Sequence, residues 1–358
     1  MTTKLDGIAV SAGSLAPDVV DQIASSAMSL DQGERDTRAN VELLARSGVL
    51  GLGAPHNHDQ ALPRMAAVTA ELAGHCLSTA FSVWAHRMTI EYLTEAATPW
   101  SCGASANLIS GDALGVTGMA SAFKDAAGCG TLDLAATPAG DGYRLTGTLR
   151  WASNLYSDSV MVTAAQTGTG EKLVVALPLA ANGVTIGNHF DLLALGSTAS
   201  SFLKLDDVYV GEDQILSRDI DAFLTEVRPT FLVLQSAMCV GLARRCLDEV
   251  EPSLAGVNTA FAVEFDSLSA DLAGIETQVT SFAAAVGGPT TPAKRDLLTL
   301  RLAAADVVSA AAALEIRTAG GKGYARRTDA SRRFREAAFI PVQSPSEAQL
   351  RWELRSDR

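Results

Sequence analysis

The stretch GYRLTGTLRWASN, residues 142–154, decides the architecture. Tyr143, Leu145, Gly147 and Leu149 alternate with Arg144, Thr146, Thr148 and Arg150, a period of two that predicts a half-buried β-strand. Further β-rich runs surround it: SVMVTAAQ (159–166), KLVVALPL (172–179), GVTIGNHF (183–190) and SFLKLDDVYV (201–210), separated by Gly, Asn and Asp. Short strands at this spacing predict a sandwich or small barrel between about 111 and 215.

On both sides the texture is helical. PDVVDQIASSAMSL (17–30) and TRANVELLARSGVL (37–50) repeat apolar residues every three or four positions, and the stretch 65–93 is Ala-rich with a broad apolar face. GLGAPHNHDQALP (51–63) is punctuated as a loop. After about 216, residues 231–250 and 294–321 form long, heavily apolar runs, the second apolar on nearly all sides in its Ala-rich half. Such a helix belongs inside a bundle or at a subunit interface. GGPTTP (287–292) is a helix-to-helix turn, and Gly320–Gly321 signals a stop where positive φ carries no steric cost. The expected domains are therefore a helical unit over 1–110, a β unit over 111–215 and a helical bundle over 216–358, an α+β multidomain chain.

Composition narrows the function classes. The chain has 358 residues, 47% hydrophobic, enough for a large core. A net charge of −12 without any dense basic run disfavours nucleic acid and anionic membranes as partners. The N-terminal residues MTTKLDGIAVSAGS lack a signal-peptide pattern, and no uncharged apolar stretch of membrane-spanning length occurs. Five scattered cysteines without a CxxC pair argue against a disulfide framework or a zinc site. The expectation is a soluble cytoplasmic protein.

Helices, then strands, then a bundle is the order of the acyl-CoA dehydrogenase superfamily, and four stretches resemble it. LARSGVLGLGAP (44–55) looks like the family's L-x-x-x-G-L-x-G-x-x-x-P. GYRLTGTLRWASN looks like G-Y-x-L-x-G-x-K-x-W-I-T-N. LGSTASSFLKLDDVYV (195–210) resembles the segment ending F-D-D-V-x-V. AGGKGYARRTDASRRFREAAF (319–339) resembles G-G-x-G-Y followed by R-x-x-R-D-A. The resemblance implies a helical domain, a β domain, a C-terminal four-helix bundle, and homodimers or homotetramers. It also implies FAD as cofactor, an acyl thioester or related small molecule as substrate, and a flavin reductase or electron-transfer protein as partner.

By the same resemblance, Trp151 would lie against the isoalloxazine ring and Ser153 would hydrogen-bond near it. A flat aromatic tricycle needs an apolar planar wall and its edge needs donors; read alone, Trp151 more simply fills the core at a strand end, and it is the surrounding WASN that favours the flavin wall. Val116 and Thr117, in GVTGMASAFKD (115–125), match Val and Thr of x-V-T-E-P-x-x-G-S-D, though the rest of that motif is absent; the alternative is an ordinary loop entering the β domain. Gly320 and Gly321 would admit a diphosphate, or simply cap the helix. Arg317 stands where the family has Gln and could bind a flavin phosphate, while Asn258 in NTAFA (258–262) replaces the family's usual cross-subunit Arg.

VQSPSE (342–347) aligns with the family's catalytic Y-E-G-T-S-E, and Gln343 occupies the position of the Glu base. A carboxamide has no useful basicity near neutral pH. The alternative base position of some relatives falls near Phe231, with Glu226 more than a turn upstream, and Glu347 is not the base of the pattern. His86 stands alone on an apolar helix and is most simply structural. The function the resemblance implies first is acyl-CoA dehydrogenase-like oxidation, the α,β-dehydrogenation of an acyl thioester or related substrate; the alternatives are a flavin monooxygenase on the same fold and a non-catalytic subunit of a mixed oligomer.

Overall fold

The computed structural model describes residues 15–356; residues 1–14, read above as lacking a signal pattern, lie outside them. Five helices come first: α1 (Pro17–Asp31), α2 (Arg38–Arg46), α3 (Leu62–His75), α4 (Leu77–Ala96) and α5 (Pro99–Ser110). β1 (Gly115–Gly118) and α6 (Ala120–Ala126) follow, then β2 (Leu134–Ala139), β3 (Gly142–Ala152), β4 (Val160–Thr167), β5 (Lys172–Pro178), β6 (Val184–Ile186), β7 (Ser201–Val210) and β8 (Ile215–Ser217). The chain then runs through α7 (Ile220–Val250), α8 (Ala262–Ala285), α9 (Lys294–Gly323), α10 (Asp329–Ala337) and α11 (Glu347–Ser356).

The strands form one sheet in the order β6-β7-β3-β2-β4-β5-β8, with β1 added parallel to β4. In β3, Leu145 and Leu149 are buried while Arg144, Thr146, Thr148 and Arg150 are exposed, as the period of two requires. The alternation then breaks. The β3–β7 register shifts between Leu149 and Ala152. A one-residue slip exchanges the faces of a strand. Ala152 therefore enters the core, and Trp151, which strict alternation would bury, is 53% exposed.

β4 and β5 read as near-continuous apolar runs because both of their faces are covered. Met161, Ala165, Val175 and Leu177 pack into the core within the β unit. Val160, Val162, Val174 and Ala176 pack into the main helical core. These two strands join the sheet to the helices. The segment GVTGMASAFKD is β1 followed by α6 rather than a loop. Gly320 does take positive φ (φ 61°, ψ −151°), a conformation that favours glycine, and one more helical turn follows it before Tyr324. α7 and α9 are long and apolar enough to cross a membrane by length and composition, but most of each such stretch is buried inside the protein.

α4 is the axis of the helical layer. Every residue from Leu77 to Leu93 is buried. Its polar side chains are matched by neighbours: Ser82 Oγ lies 2.7 Å from Thr37 Oγ1, and Arg87 donates to Glu91 at 2.7 Å and to the Leu52 carbonyl at 3.0 Å. Glu91 also accepts from Thr230 Oγ1 at 2.8 Å and the His56 amide at 2.7 Å. His86 Nδ1 accepts the Gly115 amide at 3.0 Å, and its Nε2 faces the Leu108 carbonyl at 3.0 Å. That pattern fixes a neutral imidazole protonated at Nε2.

Burial moves the His86 pKa down from the ordinary 6.5 to about 4. Folding therefore excludes a proton that the unfolded chain binds. The stabilisation is complete above pH 6.5 and is lost as the pH falls toward 4. It amounts to about 3 kcal/mol at full value. Denaturant unfolding of the protein and of His86→Gln between pH 7 and 4.5 should show their stability difference shrinking as pH falls. A difference constant across that window would show that His86 titrates alike in both states.

Candidate functional site

A cavity of about 640 Å³ opens between the end of β3, the loop 192–200, α4, α7 and the segment 338–344. This is the size range of small-molecule sites. Its floor is aromatic: Phe81 stacks on Trp84 (5.6 Å between centroids), Phe231 meets Trp84 edge-on (4.9 Å) and Phe339 meets Phe81 edge-on (4.9 Å). Trp151 forms part of the opposite wall, tilted against Phe190 with centroids 4.6 Å apart.

The polar groups at this wall are hydroxyls. Thr117 Oγ1 lies 3.3 Å from the Tyr92 hydroxyl. Ser153 Oγ, Ser200 Oγ and Thr198 Oγ1 form a ladder with steps of 2.6 and 2.8 Å, and Thr198 donates to the Leu195 carbonyl at 2.7 Å. The loop carrying Thr198 and Ser200 is tied to the strand end by the amides of Asn154 (2.8 Å to the Thr198 carbonyl) and Leu155 (3.1 Å to the Ala199 carbonyl).

Asn154 sets this wall, and sequence reasoning passed over it. It holds φ 60°, a left-handed conformation that Asn tolerates better than most residues. Its Nδ2 donates to the Ser82 carbonyl of α4 at 2.9 Å and to the Gly115 carbonyl of β1 at 3.1 Å. One side chain thus fixes the end of β3 to a helix and to a second strand. The signal was available, since an Asn directly after a strand-like run marks a turn.

Among the described residues no Asp, Glu, His or Cys lines the cavity, and the charged residues that do are Lys124 and Arg335. Arg335 is held by Asp31 through two bonds, at 2.6 and 2.7 Å. Gln343 lines the cavity and is 3% exposed. Its Oε1 accepts from Arg301 Nη2 at 3.3 Å, and its Nε2 is buried without a protein partner. Ser344 Oγ, next to it at the same wall, is also buried and unpartnered. Phe231 is part of the aromatic floor, whereas Glu226 and Glu347 lie elsewhere, Glu347 accepting from Arg351 at 2.8 Å. His56 sits 2.7 Å from Glu95, also outside the cavity.

The structure brings Thr117, Trp151, Ser153 and Gln343 to one cavity. Val116 is fully buried in the core of the β unit, so only its backbone could reach a ligand. Arg317, Gly320 and Gly321 stand apart, at the end of α9, and none of them lines the cavity within one chain. Arg317 is paired with Glu264 and lies 5.0 Å over the Phe261 ring. Asn258 donates to the Thr318 carbonyl at 2.9 Å, so it clamps the α9 end rather than offering a cation.

No family model matches the chain. The mitochondrial short-chain specific acyl-CoA dehydrogenase of Bos taurus is 24% identical over 218 residues, 57% of this chain and 53% of the relative. The match thus spans about half the length of that curated relative. Butyryl-CoA dehydrogenase from Megasphaera elsdenii superposes with a TM-score of 0.84 at 17% identity, covering 95% of each chain. KijD3, solved with FMN and dTDP-3-amino-2,3,6-trideoxy-4-keto-3-methyl-D-glucose, superposes with a TM-score of 0.76 at 17% identity over 95% of this chain and 91% of that one. The fold is that of the acyl-CoA dehydrogenase superfamily, and the resemblance read in the sequence is borne out.

Asn154→Gly keeps the backbone conformation but removes both side-chain bonds. It should lower stability by about 1–3 kcal/mol in urea unfolding, the cost of leaving buried acceptors unmatched. A loss below about 0.5 kcal/mol would show that Asn154 does not hold the wall together.

Proposed function

We propose that the chain is a flavin-dependent oxidoreductase whose substrate chemistry uses no carboxylate base, which favours a monooxygenase over an acyl-CoA dehydrogenase. One observation carries the reading: among the described residues no carboxylate, imidazole or thiol lines the cavity, and its Gln343 cannot take a proton. Removal of an α-proton from an acyl thioester has no acceptor there. The KijD3 complex supports the choice, since that protein of like fold holds FMN and a nucleotide sugar rather than a thioester.

The residues present fit a flavin. The half-exposed Trp151 offers a planar apolar wall, and Thr117 and the Ser153 ladder offer hydroxyls at the ring edge. FAD is the flavin of choice by family likeness; Gly320 and Gly321 would admit its diphosphate end across a subunit boundary, and Arg317 would join them only by exchanging Glu264 for a phosphate. When bound, a reduced flavin would supply the two electrons with which dioxygen gives one oxygen atom to the substrate and one to water. The protein's own part is to hold the substrate against the aromatic floor and keep bulk water out. A separate flavin reductase would supply the reduced cofactor.

The competing reading, α,β-dehydrogenation of a thioester, is favoured by the likeness to the bovine enzyme. Both are tested on one sample. The protein reconstituted with FAD should be yellow, and anaerobic butyryl-CoA should leave the flavin band unbleached. Bleaching would overturn the monooxygenase reading, and a protein that takes up neither FAD nor FMN would leave the non-catalytic subunit.

Assembly as a homodimer or homotetramer belongs to the same proposal. Val257 in the 3-10 turn before α8, Val263 in the first turn of α8 and Tyr324 just after α9 are 90%, 82% and 82% exposed. Large exposed apolar side chains so grouped suit a subunit contact. Light scattering should give at least a dimer mass, and Val263→Glu with Tyr324→Glu should shift it toward the monomer. A wild-type monomer at micromolar concentration would reject the assembly.

A further inference from the structure

Arg301 on α9 is fully buried. Its Nε donates to Gln235 Oε1 at 3.1 Å, and its Nη2 donates to the Ile340 carbonyl at 3.1 Å and to Gln343 Oε1 at 3.3 Å. Among the described residues its Nη1 has no partner, and none of its hydrogen bonds goes to a carboxylate. A buried cation without a counter-charge is costly, and proteins ordinarily pair it. Here the guanidinium is matched only by neutral oxygens, so its positive potential is left to act on what surrounds it.

What surrounds it is the wall of the cavity. A guanidinium only donates, so the carboxamide of Gln343 must turn its oxygen toward Arg301 and its amino group away. That amino group is the buried, unpartnered Nε2. Gln235 fixes the arrangement from the other side: its Oε1 receives Arg301, and its Nε2 donates to the Ser344 carbonyl at 2.9 Å. The Gln343–Ser344 turn is thereby held by a network in which each glutamine is oriented by the same cation. An amide whose oxygen accepts from a cation is a stronger donor through its nitrogen.

We propose that Gln343 is the cavity's hydrogen-bond donor, positioned by Arg301, and that the site takes a substrate with an apolar body and an acceptor oxygen, a carboxylate or a polarised carbonyl. The apolar body would lie on the Phe81, Trp84 and Phe231 floor, and the oxygen would meet Gln343 Nε2, with the unpartnered Ser344 hydroxyl beside it. This deepens the reading of the cavity as the substrate site. It also changes what a carboxylate at this position would do. In Gln343→Glu the new side chain would pair with Arg301 and be held ionised, a weakened base, so the substitution would not install thioester dehydrogenation.

Octanoate and octylamine share an apolar body and differ in the head group, and their binding can be followed calorimetrically on the FAD-treated full-length protein. Octanoate should bind, and octylamine at least tenfold more weakly. Because Lys124 and Arg335 at the rim also favour anions, variants carry the test. Gln343→Leu should lose about tenfold or more in octanoate affinity, the usual worth of a donor to a charged acceptor. Gln343→Glu keeps Arg301 partnered; it should melt no lower than the wild type and still lose octanoate by at least the same factor. The proposal is overturned if the wild type fails to bind octanoate, if octylamine binds as well, or if the folded Gln343→Glu protein binds octanoate unchanged. Flavin absorbance is read on the same samples: octanoate binding that depends on Gln343 in a protein without flavin would remove the flavin reading and leave this one standing.

Discussion

The structure depends on α4 being buried on every side. A helix in that position hides its polar groups from water, so they bond either back to the helix, as Thr89 does to the Ala85 carbonyl, or to neighbouring elements. The partners are what assemble the molecule. Ser82 reaches Thr37 before α2, Arg87 reaches the loop after α2, Glu91 reaches Thr230 on α7, and His86 reaches both the end of α5 and the start of β1. Asn154 completes the set by donating to the backbone of α4 from the end of β3. The same helix contributes Phe81, Trp84 and Ala85 to the cavity, whose other walls come from parts of the chain far apart in sequence.

Much of the fold was legible from periodicity. Burial along β3 follows the alternation read in residues 143–149, and the long apolar runs after 216 are α7 and α9. What could not be read is where a pattern is interrupted. The register shift after Leu149 depends on pairing with β7, fifty residues further on, and no local feature of RWAS announces it. The β1–α6 segment escaped for a similar reason: a four-residue strand added to β4 has too little sequence of its own to show a period.

The candidate site was legible one residue at a time and not as a network. Gln343 stood out because a resemblance supplied the carboxylate it replaces. Arg301 did not, although a single cation in LLTLRLAAADVV is visible in an otherwise apolar face. Its meaning depends on three acceptors contributed by α7, the segment after α10 and Gln343 itself. A fold shared with known enzymes does not by itself fix the reaction, which is argued from the site.

The ladder from Ser153 through Ser200 to Thr198 has a sense of direction. With the Thr198 proton committed to the Leu195 carbonyl, Ser200 donates to Thr198 and Ser153 donates to Ser200, so the Ser153 oxygen faces the cavity as an acceptor. Hydroxyl protons rotate freely, and the chain can reverse as a unit. Reversal makes Ser153 a donor and releases the Leu195 carbonyl, at the cost of one hydrogen bond and no movement of heavy atoms. A ring edge that must give a proton contact in one oxidation state and receive one in the other would find both in the same three side chains.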